Sequence, residues 1–93
     1  MIYVVALERV PYRVMQDFID AMSEASSYYK KTMPNVWLVD TTHSAERLGT
    51  ILKKHISKSD SLLIIRVVGE YDGWLTEETW KWLRISKNNR DFD

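Results

Sequence analysis

Ninety-three residues carrying 13 Lys plus Arg against 13 Asp plus Glu make one small domain with no net charge, which excludes a second core and any general attraction for a polyanion such as duplex DNA. The lack of cysteine excludes a disulfide framework, a thiolate metal site and a cysteine nucleophile, and it suits a reducing, cytoplasmic compartment. A chain of this length hides only roughly 60 to 65% of the surface it exposes when unfolded, so apolar contact with a partner subunit, and hence a homodimer, is expected.

Residues 2–7 are a continuous apolar run rich in β-branched side chains, as a central strand requires. The run is too short for a membrane span and has no basic leader, so no membrane partner is expected. It ends at Glu8-Arg9. Pro11 fits the first turn of a helix, and Val14, Met15, Phe18, Ile19, Met22 and Ala25 follow at spacings of three and four. Arg13, Gln16, Asp17, Asp20 and Glu24 fill the opposite face, as expected for a helix lying on a sheet. Two strand-like segments, 28–33 and 36–41, flank Pro34-Asn35, a dipeptide that favours a turn, and together they predict a β-hairpin.

Ser44 is a good N-cap, and Leu48, Ile51, Leu52, His55 and Ile56 recur on one face of the helix that follows it. After a polar connection at 57–60, residues 61–68 are the most apolar run of the chain and predict a well-buried fourth strand. Residues 69–74 read as a loop. Thr76 can cap a short helix through Leu83, with Glu77 and Glu78 at its positive end. The pattern then stops, so the predicted domain covers 1–84 and the polar residues 85–93 form a disordered tail. The order is β-α-β-β-α-β with a short C-terminal helix: an α+β, ferredoxin-like split β-α-β fold. Two right-handed crossovers put both main helices on one face of a four-stranded antiparallel sheet and leave the other face open.

The stretches Ser27-Tyr28-Tyr29, Val36-Trp37-Leu38-Val39-Asp40-Thr41, Ser44-Ala45-Glu46 and Leu52-Lys53-Lys54-His55-Ile56 resemble the small bacterial SinR-like proteins. Asp60-Ser61-Leu62-Leu63-Ile64-Ile65, then Gly69, Gly73-Trp74-Leu75-Thr76-Glu77-Glu78 and Trp82-Leu83, continue the likeness in the same order. These proteins are similar to the CRISPR-associated adaptation protein Cas-two superfamily, and the likeness implies a ferredoxin-like dimer. In that superfamily an Asp ends the first strand, and paired Asp residues across the dimer axis are associated with a divalent metal and nuclease activity in some members. Glu8 stands at the matching position here. It keeps a carboxylate but reaches one methylene further, and hard-cation sites depend on ligand reach. Many members are structural nucleic-acid binders instead.

Glu8 with Arg9 and Arg13 reads either as a phosphate-binding and metal-binding constellation at a strand-to-helix junction or as a solvated strand end. Mg²⁺ is the cofactor that the first of these would take. His43 and His55 bracket the second helix instead of converging. His43 fits the capping loop, and His55 fits the core or an interface. No nucleophile elbow or glycine-rich phosphate loop is present in the sequence. Tyr28, Tyr29, Trp37, Tyr71, Trp74, Trp80 and Trp82 form an aromatic set that either stacks bases, as open sheets do in RNA-binding domains, or covers the sheet face or a dimer interface. Lys30-Lys31 and Lys53-Lys54 add local positive charge.

Three functions stay open on these residues. The first is a dimer that binds nucleic acid or a nucleotide without nuclease activity, with Arg9 and Arg13 on phosphate and Tyr71 or Trp74 stacking a base. The second is a small interaction module of inhibitor or antitoxin type with a protein partner. The third is a metal-dependent nuclease using Glu8.

Overall fold

A computed structural model describes residues 1–8 and 15–88 of the chain, with side chains described as far as Arg84. The first apolar run is β1 (Ile2–Glu8), which is followed by α1 (Gln16–Ala25), β2 (Tyr28–Met33) and β3 (Val36–Asp40). Then come α2 (Ala45–Lys53), β4 (Ser61–Arg66) and α3 (Glu77–Asn88). The strand order is β2-β3-β1-β4 and every pairing is antiparallel. Such a four-stranded antiparallel sheet with three helices is compatible with the ferredoxin-like α+β class. Among the described residues no helix is long and apolar enough to cross a membrane.

Local signals set several boundaries. Ser44 caps α2 by accepting the Arg47 N–H at 3.1 Å. Asn35, at φ 60°, supplies the left-handed turn residue between β2 and β3, a conformation that Asn tolerates better than most side chains. Pro11, Val14 and the predicted start of the first helix lie outside the described residues.

Alternation along β1 divides the molecule into two cores. Tyr3, Val5 and Leu7 point to one face, where Trp37 and Val39 of β3 join Phe18, Met22, Leu48 and Leu52 of the two helices. Each such side chain, fully buried, contributes about 1.5 to 3 kcal/mol of transfer free energy. The rings of Phe18 and Trp37 meet at 5.7 Å with a 48° tilt.

On the other face, Ile2 and Leu38 pack against Leu83 of α3, and Val4, Val67, Tyr71, Trp80 and Trp82 close around them. The expectation of a fully open second face is therefore corrected. Trp80 and Leu83 recur on one side of α3 at helical spacing, and the loop after β4 is long enough to swing that side back onto the sheet. The helix also continues to Asn88, into the segment read from sequence as a tail. Residues 84–88 contain neither Gly nor Pro to stop it.

Two further expectations change. The fourth strand is an edge strand and is only partly covered, with Leu63 56% and Ile65 52% exposed. A continuous apolar run looks the same in sequence whether its outer side is buried or bare. His55 lies past the end of α2 and is exposed, whereas the helical stripe placed it in a core or interface. His43 stays in the capping loop. It donates its N–H to Thr41 Oγ1 at 3.2 Å, and its carbonyl accepts the Tyr3 hydroxyl at 2.9 Å.

Candidate nucleic-acid interface

The loop between β4 and α3 is anchored at both ends. Upstream, Val67 donates its N–H to the Ile2 carbonyl at 2.8 Å, and Tyr71 stacks on Trp80 with centroids 5.8 Å apart and planes 14° from parallel. Downstream, the Thr76 hydroxyl caps α3 by accepting the Thr79 N–H at 3.3 Å, and its carbonyl accepts the Trp80 N–H at 3.1 Å. Between these anchors Gly73 takes φ 146°, a backbone conformation that L side chains rarely adopt, and donates its N–H to Asp72 Oδ1 at 2.8 Å. The next residue, Trp74, is thrown outward and is 100% exposed.

A tryptophan with its whole surface in water keeps both faces of its ring open to a ligand, and a base stacked there would recover the transfer free energy that packing leaves unused. Every other tryptophan packs against the fold. Trp37 belongs to the main core, Trp80 and Trp82 belong to the second, and the Trp82 ring lies 4.9 Å from that of Tyr28.

Trp74 lines an open groove of about 390 Å³ together with Lys30, Lys31, Thr32, Thr76 and Thr79. The two lysines come from the outer strand β2. Lys30 Nζ donates to Glu78 Oε1 of α3 at 3.2 Å, so its charge is partly offset, and Lys31 is exposed. The groove thus combines one free aromatic face, the Lys30 ammonium and several hydroxyls, with Lys31 bordering it on the strand edge. That set can stack an unpaired base and hold a neighbouring phosphate.

The residues singled out in the sequence do not all meet here. Trp74 does. Tyr71 sits on the far side of the loop with its ring against Trp80, partly buried in the second core. Glu8 ends β1 on the exposed rim of the sheet, opposite Ser61 in the register. Among the described residues no group of three His, Asp or Glu side chains gathers there or elsewhere. Fewer than three such ligands therefore meet at Glu8 among the described residues. Arg9 and Arg13 lie outside the described residues. The sequence by itself offers Lys30 and Lys31 only as local positive charge. What brings Lys30 to the Trp74 groove is the docking of α3, a contact between segments more than forty positions apart.

Comparison of the chain with protein-family models, with curated proteins and with solved structures gives no match.

Proposed function

We propose that this chain is a ferredoxin-like, SinR-like dimer that binds single-stranded nucleic acid or a nucleotide and has no nuclease activity. The observation that carries the reading is the fully exposed Trp74 ring beside Lys30 and Lys31 in one groove. Stacking on such a ring is worth about 1 to 3 kcal/mol per base and is tolerant of sequence. Zero net charge restricts the electrostatic part to local contacts, which suits a short unpaired segment better than a duplex. Arg9 and Arg13 keep the role of additional phosphate contacts in this proposal.

Titration of labelled short oligonucleotides and of mononucleotides at low salt tests it. Saturable binding to one of these classes is expected, and its absence from both ends the nucleic-acid reading.

A second reading, a small interaction module of inhibitor or antitoxin type, draws on the neutral charge and on the exposed apolar side chains Met33 and Val68. Failure of the titration would move it to first place. The metal-dependent nuclease stays third, because no group of three His, Asp or Glu side chains forms at Glu8 among the described residues.

A further inference from the structure

The two outer edges of the sheet are treated differently. On β2 the edge carries Lys30 and Lys31, and the pairing with β3 is irregular between Lys31 and Met33. Charged side chains and bulges are the usual means by which a sheet edge avoids pairing with another chain. On β4 the regular register runs unbroken from Ser61 to Arg66, through Leu62, Leu63, Ile64 and Ile65, with no proline or bulge and with its one charge, Arg66, at the end of the strand.

Hydrogen-bond parity shows which groups that edge presents. Leu7 donates its N–H to the Asn35 carbonyl at 2.9 Å, and the Ile2 carbonyl accepts the Val67 N–H at 2.8 Å. Odd-numbered residues of β1 therefore bond toward β3 and even-numbered ones toward β4. Because Ala6 opposes Leu63 and Val4 opposes Ile65, the backbone groups of Leu63 and Ile65 turn inward to β1. Those of Leu62 and Ile64 turn outward, and among the described residues no strand pairs with that side.

We propose that β4 is a self-pairing edge, at which two copies join antiparallel about Ile64 to form one continuous sheet. This rests on the dimeric part of the function proposed above and is independent of its nucleic-acid part. A two-fold axis needs a surface complementary to itself, and three features meet that need. Centring on Ile64 matches outward backbone groups with outward ones. It also sets Leu63 opposite Ile65 of the second copy, so that the two bare apolar side chains cover each other on the face that α3 leaves free. On the opposite face, Glu46 and Lys53 of α2 flank Leu62 and Ile64. The helix runs counter to β4, with Lys53 also beside Leu62 and Asp60. Antiparallel pairing then brings the Lys53 end of one α2 to the Glu46 end of the other, joining opposite charges.

The native chain has no cysteine, which makes crosslinking clean. Leu63→Cys/Ile65→Cys should form a covalent dimer rapidly under mild oxidation, and either single variant should do so slowly. Leu63→Lys/Ile65→Lys should raise the dimer Kd at least about tenfold by setting like charges opposite each other. Hydrogen exchange on the wild type should show the Leu62 and Ile64 amides losing protection on dilution. A monomeric mass at tens of micromolar would overturn both this proposal and the dimeric reading. A dimeric mass with no crosslink, and with Leu62 and Ile64 amides indifferent to dilution, would overturn the β4 edge alone. Should the lysine variant fail to fold, the crosslink and the exchange data decide the question.

Discussion

Lys30 Nζ lies 3.2 Å from Glu78 Oε1, and this pair ties the outer strand β2 to the first turn of α3 directly beside Trp74. Glu78 is largely in water, so the pair is worth at most about 1 kcal/mol to the fold. Its larger effect falls on the groove, where the carboxylate offsets the Lys30 ammonium charge. Glu78→Gln should leave the melting temperature nearly unchanged and tighten binding of a short oligonucleotide by about two- to fivefold, since one removed charge is worth a fraction of a kcal/mol in water. Fluorescence anisotropy measures it. Weaker binding in the variant would mean that Glu78 shapes the groove instead of attenuating its charge.

The docking of α3 rests on the packing of its inner face. Leu83 is buried against Ile2 and Leu38, so Leu83→Ala should cost about 2 to 5 kcal/mol in equilibrium urea denaturation. Trp74→Ala should stay within about 0.5 kcal/mol of wild type, because the ring touches nothing that folding buries. Equal losses in the two variants would contradict the division between a structural α3 face and a free ring.

Divalent cations should matter little. With no group of three His, Asp or Glu side chains at Glu8 among the described residues, addition of Mg²⁺ should produce no cleavage of RNA or DNA, and chelation should leave binding unchanged. Gel analysis of labelled substrates checks this. Mg²⁺-dependent cleavage that disappears in Glu8→Gln would put the nuclease reading first.

Short-range signals were the ones legible in the sequence. Ser44 and Thr76 were readable as caps because a hydroxyl before an apolar-periodic run satisfies early helical N–H groups, and both make those bonds. Ser44→Ala should accordingly cost about 1 kcal/mol in thermal or chemical denaturation. The Pro34-Asn35 turn and the α2 stripe through Leu48 and Leu52 were readable for the same reason. Long-range outcomes were hidden. Trp80, Trp82 and Leu83 could have served a dimer as well as the chain's own second face, since periodicity specifies an apolar side and not its partner. Leu63 and Ile65 looked buried because they sit in an unbroken apolar run, while strand order decides which strand is left at an edge. Trp74 was identifiable as a loop aromatic. Its lysine neighbours were not, because their proximity exists only once α3 has folded back over β2.

The most direct test of the account is a salt titration of one short single-stranded oligonucleotide against wild type, Trp74→Ala and Lys31→Ala. Trp74→Ala should weaken binding by about 1 to 3 kcal/mol with the salt slope kept, because stacking releases no counterion. Lys31→Ala should weaken it less at high salt than at low, with the slope reduced by about 0.7 for the lost phosphate contact. Wild-type binding that is unaffected by either substitution, or no saturable binding at low salt, would contradict the assignment of this groove to nucleic acid.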